Sequence, residues 1–108
     1  VIHLGTNDFS SPVDQGTFEA AYEDLILQVR GHHPEAVIYC VGGDFLNPTA
    51  TGYIGNVLTA LGDPDVHLLE LPGAEAAEGY GCDWHPSAAT HARIGELVTE
   101  RLRADLGW

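Results

Sequence analysis

Three unbroken apolar runs, separated by stretches of a different period, constrain the fold of this chain more than any other feature. The runs are Val1 to Leu4, residues 36–41 (AVIYCV) and residues 66–71 (VHLLEL). They are short and rich in β-branched and aromatic residues, which is typical of strands that are buried on both faces of a sheet. The pattern therefore predicts a parallel sheet.

The segments between these runs carry apolar residues at helical spacing. The first stripe contains Phe18, Tyr22, Leu25, Ile26 and Val29, the second Ile54, Val57, Leu58 and Leu61, and the last Ile94, Leu97, Val98 and Leu102. The element order is β-α-β-α-β-loop-α, which predicts a three-layer α/β/α, flavodoxin-like fold with right-handed crossovers.

Composition excludes several classes of function. The chain has four Lys+Arg and sixteen Asp+Glu residues, which gives a formal charge of −12. We therefore expect no nucleic-acid or anionic-membrane partner. No apolar run approaches the length of a membrane span. There is no HExxH, no Cys/His cluster and no acidic loop of calcium spacing, and we therefore expect no metal and no cofactor.

Three polar segments follow the predicted strands: GTNDFSS (5–11), GGDFLN (42–47) and GCDWHPS (81–87). Ligands of open parallel sheets collect at the carboxyl ends of the strands. We therefore expect Asn7, Asp8 and His85 to lie at one edge of the sheet. There His85 is suited to act as a general base, Asp83 to orient its ring, and the Asn7 amide to stabilise an oxyanion.

Two of these segments, the first and the last, contain motifs that resemble those of a known family. GTND after a strand, with Asp-Trp-His-Pro before the last helix, resembles the SGNH or GDSL hydrolases, and the second motif is similar to that of the second family of carbohydrate esterases. The resemblance implies a secreted serine esterase that removes acetyl groups from plant polysaccharides such as xylan and glucomannan. It matches Asn7 to the oxyanion-hole asparagine and His85 to the catalytic histidine.

Asp83 precedes His85 by two residues, the spacing of that esterase family, whereas most SGNH hydrolases have three. Either Asp83 or the backbone carbonyl of Trp84 is therefore a candidate to orient His85. The remaining candidates for contact with substrate are Gly5, Asp8, Phe9 and Trp84. Trp84 is either the floor of a sugar-binding cleft or a buried anchor.

The family nucleophile, a serine in a Gly-Asp-Ser motif, has no counterpart in the 108 residues. Ser10 and Ser11 are typical of a loop, and Ser87 of a helix cap. The chain contains no methionine and opens inside an apolar run, so we expect it to be the C-terminal portion of a single catalytic domain whose N-terminal part supplies the serine. Without the family's first strand, Val1 to Leu4 would form an apolar edge that is prone to association.

Two further hypotheses concern the whole chain. Cys40 and Cys82 follow neighbouring strands and are a candidate disulfide, with two buried free thiols as the alternative. The competing functions are a saccharide-binding module without turnover and, less well supported because no phosphate-cradling glycine loop occurs, a regulatory domain. Each motif alone is also compatible with an ordinary turn, in which His85 merely caps the last helix.

Overall fold

The computed structural model describes residues 1–108 and is organised around a strand in which every residue is buried, β1 (Ile38–Gly42). This strand pairs in parallel with β2 (Val66–Glu70), and Ile38 lies opposite Val66. Because parallel strands need a crossover, the segment between β1 and β2 has to leave the sheet and return to it. The predicted parallel α/β architecture is confirmed.

The first predicted strand is reduced to a single parallel bridge between Ile2 and Cys40 on the other side of β1. The N–H of Ile2 donates to the Tyr39 carbonyl at 2.7 Å, and its own carbonyl accepts from the Val41 N–H at 2.8 Å. The order across the sheet is therefore the Ile2 segment, β1 and β2.

Two helices complete this part of the molecule, and both begin at the residues that capping chemistry favours. Helix α1 (Gln15–His32) is capped by Asp14, whose carboxylate accepts from the Thr17 N–H at 2.9 Å. Helix α2 (Pro48–Leu61) is capped by the Asn47 side chain. It ends at Gly62, which takes the left-handed conformation (φ 59°) that only glycine adopts without cost.

The hydrophobic core lies between these two helices and the sheet. Its buried members come from all four elements and are Phe18, Tyr22, Ile26, Ile38, Cys40, Ile54, Val57 and Val66. At Gly42 the end of β1 approaches α2 so closely that a Cβ there would lie 2.9 Å from the Thr51 side chain. The small residue at this point is what allows α2 to pack on the strand.

An ion pair closes the end of α1. Arg30 contacts the Asp63 carboxylate at 2.9 Å and donates to the carbonyls of Pro34 and Ala36 at 2.9 and 2.6 Å. Hydrogen bonds from the Asp65 N–H and from Arg30 hold the pKa of Asp63 below its usual range. One side chain thus ties the connection after α1 to the turn that precedes β2.

The chain divides into two compact units, residues 1–70 and 71–108. The second contains helix α3 (Ala88–Leu106), with Ser87 as its N-cap; the Ser87 hydroxyl accepts from the Thr90 N–H at 3.2 Å. This confirms the predicted capping role of Ser87. None of the three helices combines the length and the apolar character needed to cross a membrane.

The predicted disulfide is wrong, because both cysteines are free. Cys40 lies in the middle of β1 rather than at its end, and its side chain is buried in the core, where burial raises the pKa of the thiol. Cys82 is exposed. A side chain that faces the core from mid-strand is not available at the sheet edge where the loops begin.

We expect Ile54→Ala to cost about 2–5 kcal/mol of unfolding free energy, because Ile54 is fully buried and its removal leaves a cavity between α2 and the sheet. Urea unfolding monitored by circular dichroism measures the loss. Leu27→Ala, at a position on α1 that is 51% exposed, is the matched control and should change stability far less. Equal losses in the two variants would contradict this packing.

Candidate active-site residues

The loop after the first bridge leaves the sheet at Gly5. Its φ of 113° is a conformation that residues with a Cβ rarely adopt, and an added Cβ would lie 3.4 Å from the Phe18 ring. Gly5 is buried. It therefore has a clear structural role, which is to turn the chain against α1.

Asn7 follows at the start of a short 3₁₀ turn, Asp8–Ser10. Its backbone carbonyl accepts hydrogen bonds from the Ser10 N–H at 3.2 Å and the Ser10 hydroxyl at 2.8 Å. Its side-chain amide forms no capping hydrogen bond and is exposed. The turn is thus held by the backbone of Asn7, which leaves the amide N–H groups available to a ligand.

Three of the predicted residues of this loop, Gly5, Asn7 and Asp8, line one cavity of about 370 Å³. Its other lining residues are His3, Leu4 and Thr6 of the loop and Phe18, Ala21, Tyr22 and Leu25 of α1. The cavity therefore combines a loop that contains polar residues with apolar and aromatic residues of α1. Small-molecule sites commonly combine these two surfaces.

Phe9 belongs to the same loop but does not line this cavity, and its predicted contact with substrate stays a prediction. Its ring packs edge-on against Phe18 at 5.1 Å and beside Tyr53 at 5.7 Å, and it is partly buried against the core. It lines a neighbouring cavity of about 420 Å³ rather than the one that contains Asn7. The Phe9 ring packs against other aromatic rings that are distant in sequence, so the residues around Phe9 do not predict this contact.

In the second unit, His85 ends a tight turn, Cys82–Trp84. Its ring Nδ1 lies 3.0 Å from the Cys82 carbonyl oxygen, and its backbone N–H donates to the same oxygen at 3.1 Å. A carbonyl oxygen only accepts, so Nδ1 carries the proton in this hydrogen bond. The other ring nitrogen, Nε2, is then the basic one.

The partner of His85 differs from both candidates named above. The structure contains no hydrogen bond from the ring to Asp83 or to the Trp84 carbonyl, and the Cys82 carbonyl takes that place. The reason is local: Asp83 (φ 52°, ψ 42°) and Trp84 (φ 61°) both adopt the left-handed conformation. This curls the turn so that the carbonyl three residues before His85 meets its ring.

Trp84 is 80% exposed, so it is not a buried anchor in this chain. Its indole meets the Tyr80 ring edge-on at 5.7 Å, and Tyr80 is exposed as well. The two rings form an exposed aromatic pair beside His85. The sequence signal for this pair is the segment EGYGCDW (78–84), in which two aromatic residues stand four positions apart and the first is flanked by glycines.

Sequence reasoning also missed a charged cluster upstream of this turn. The Glu78 carboxylate accepts from Arg93 at 2.9 Å, from the Thr90 hydroxyl at 2.8 Å and from the Glu75 N–H at 3.0 Å. Together these hydrogen bonds, that of Arg93 foremost, lower the pKa of Glu78 to about 2. The available signal was the Glu75/Glu78 spacing of a capping box.

The amino-acid sequence of the chain is similar to those of known carbohydrate-active enzymes. No family model matches it. The cellulase/esterase CelE of Acetivibrio thermocellus is 40% identical over the whole chain, which covers 14% of that protein. An acetylxylan esterase / glucomannan deacetylase of Cellvibrio japonicus is 27% identical over 99% of the chain, which covers 33% of it.

Solved structures agree. A family two carbohydrate esterase from Clostridium thermocellum, in complex with cellohexaose, matches 98% of the chain with a TM-score of 0.87 and 38% identity. One from Cellvibrio japonicus matches 97% with a TM-score of 0.82 and 28% identity. These two solved structures are thus family two carbohydrate esterases, as the resemblance predicted. The chain spans about a third of the length of these two structures, 35% and 32%.

The lowered pKa of Glu78 makes a pH-dependent contribution to stability. Because the folded-state value of about 2 is below the ordinary 4.5, the stabilisation is complete above about pH 4.5 and is lost as the pH falls towards 2. We expect Glu78→Gln to lower the thermal midpoint at neutral pH and to flatten its fall in that window. Melting curves from pH 2 to 7 measure this effect.

The control for this experiment is Glu100→Gln, which removes an exposed carboxylate from the same helix that carries Arg93. Its melting curve should follow the wild-type pH dependence. If Glu78→Gln did the same, the Glu78 carboxylate would not be the group that titrates in this window.

Proposed function

We propose that this chain is the histidine-bearing, C-terminal part of a secreted carbohydrate esterase that removes acetyl groups from plant polysaccharides such as xylan and glucomannan. The support is the similarity of the whole chain to carbohydrate esterases, one of them an acetylxylan esterase / glucomannan deacetylase. The relatives are about three times as long as the chain or longer, in keeping with an N-terminal part that carries the nucleophilic serine.

The observation that carries the proposal is the hydrogen bond between His85 Nδ1 and the Cys82 carbonyl. It fixes the ring and selects the tautomer in which Nε2 is unprotonated. His85 is exposed, so a second polypeptide segment and a substrate can reach it. An oriented imidazole with one basic nitrogen is what activation of a serine hydroxyl requires.

The proposed reaction is an acyl transfer in two steps. A serine outside this chain attacks the acetyl carbonyl while His85 Nε2 takes its proton, and the Asn7 amide donates to the developing oxyanion. Collapse of the tetrahedral intermediate breaks the ester C–O bond, and the sugar oxygen leaves with the proton from His85. Water, deprotonated by His85, then attacks the acetyl-serine carbonyl, and the serine oxygen leaves with that proton as acetate is released.

Substrate contacts are proposed from surface chemistry. The exposed Trp84 and Tyr80 rings offer apolar faces on which a sugar ring can pack, and Gly5 and Asp8 line the cavity that contains Asn7. The exposed Val1 and Leu4, 66% and 56% accessible, form the edge at which we place the N-terminal part of the domain. No nucleic-acid or membrane partner is proposed.

One observation favours a second candidate, which is saccharide binding without turnover. The exposed Trp84–Tyr80 pair is a feature of sugar-binding surfaces as much as of active sites. Hydrolysis of acetylated xylan distinguishes the two functions. A protein that binds cello- or xylo-oligosaccharides but releases no acetate would be a binding module.

In the protein that carries the serine, we expect His85→Ala to lower kcat for acetylated xylan or 4-nitrophenyl acetate by about a hundredfold or more, because the general base is lost. Asp83→Asn is the matched control. It changes the same turn but removes no hydrogen bond to the ring, and should retain more than a tenth of the activity. Equal rates for wild type and His85→Ala would refute the assignment of His85.

We expect Asn7→Ala to reduce kcat by about a hundred- to a thousandfold with little change in KM, since an oxyanion donor acts in the transition state. The Asn7 side chain makes no hydrogen bond that holds the loop, so the fold should be unaffected. Steady-state kinetics and a melting curve test both statements. A rise in KM at constant kcat would instead indicate ground-state substrate binding.

A further inference from the structure

The turn that carries His85 contains two consecutive residues in a conformation that side chains disfavour. Asp tolerates the left-handed region better than most residues, but for a bulky residue such as Trp84 it is a marked outlier. Such a turn persists only where the surrounding structure imposes it. The question is which contacts hold its two ends.

Both ends of the segment Glu78 to Ser87 are bound to one buried residue of α3, Thr90. The Thr90 hydroxyl donates to the Glu78 carboxylate at 2.8 Å, and the Thr90 N–H donates to the Ser87 hydroxyl at 3.2 Å. Thr90 has no exposed surface. The segment that presents His85 therefore has both of its ends held at the same point of α3.

Arg93, one turn further along α3, locks the first of these ends. It donates to the Glu78 carboxylate through both Nε and Nη2, and Nη2 also donates to the Gly73 carbonyl at 2.8 Å. Two parallel bonds fix direction as well as distance. The chain has four arginines and no lysine, and one of these arginines is used here.

Between the two ends, a short antiparallel bridge transmits this anchoring to the turn. Tyr80 pairs with Pro86, and the Gly81 N–H donates to the His85 carbonyl at 2.8 Å. The residues just before the turn are thus hydrogen-bonded to those just after it. If Glu78 is released, the Tyr80 side of the bridge loses its support.

We propose that the Glu78–Arg93–Thr90 cluster positions His85: it holds the left-handed turn closed and so keeps the ring Nδ1 on the Cys82 carbonyl. These three are positioning residues, because none of them contacts the imidazole. The catalytic consequence rests on the proposed function, whereas the state of the His85 ring does not. The two statements can therefore be tested separately.

The test is NMR of the protein labelled with ¹⁵N in its histidines, in which long-range proton–nitrogen correlations report the tautomer of each ring at neutral pH. His85 is assigned by the signal lost in His85→Gln. In the wild type we expect the Nδ1–H form. In Glu78→Gln and Arg93→Met we expect a shift to the Nε2–H form that free imidazole favours, with faster exchange of the Gly81 and His85 amides.

The matched control is Arg30→Met. It removes an arginine of similar exposure that also binds a carboxylate and backbone carbonyls, but in residues 1–70. It should lower stability and leave the His85 tautomer unchanged. If Arg93→Met fails to fold, Thr90→Val and Thr90→Ser decide, because only the second keeps the hydroxyl and should restore the wild-type ring signal.

Activity provides the second measurement. We expect Glu78→Gln to lower kcat for an acetyl ester about ten- to a hundredfold with less than about a twofold change in KM, as a displaced base would. Folded variants with a wild-type His85 tautomer and wild-type amide exchange would overturn the positioning proposal. A wild-type protein that cleaves no acetyl ester, with the tautomer shift intact, would refute the proposed function alone.

Discussion

Burial of β1 is the constraint on which the first unit depends. This strand is bonded on one side to β2 and on the other to Ile2, and each of its residues is removed from solvent. Its backbone groups are satisfied only if both neighbours are present, because a buried unpaired amide is costly. The crossover through α2 and the turn at Gly5 are consequences of bringing those neighbours to the same strand.

This acidic chain has few positive side chains, and two of them make specific structural contacts. With sixteen carboxylates and four arginines, unspecific pairing of surface charge cannot hold the fold. Two of the arginines instead close loops. Arg30 joins the end of α1 to the turn before β2, and Arg93 joins α3 to the segment upstream of His85. Each also satisfies backbone carbonyls, so that one side chain orders a connection that has no regular structure.

The site shows why an oriented histidine does not need a carboxylate partner. A backbone carbonyl can accept the hydrogen bond from Nδ1–H with the same geometry as a carboxylate. It lacks, however, the negative charge that stabilises an imidazolium. The structure achieves this with a turn of unfavourable conformation. Its conformational cost is offset by hydrogen bonds made elsewhere in the same segment, a division commonly found at functional sites.

The sequence alone determined the parallel α/β architecture, the three helices and the resemblance to carbohydrate esterases, because hydrophobic period, capping residues and short motifs are local properties. It also placed Ser87 as the cap of α3. It failed at Cys40 and at the partner of His85. Each of these depends on which direction a side chain or carbonyl faces, and that direction is set by packing and by two backbone dihedral angles. Only the tertiary structure decides such directions, since residues distant in sequence must first meet.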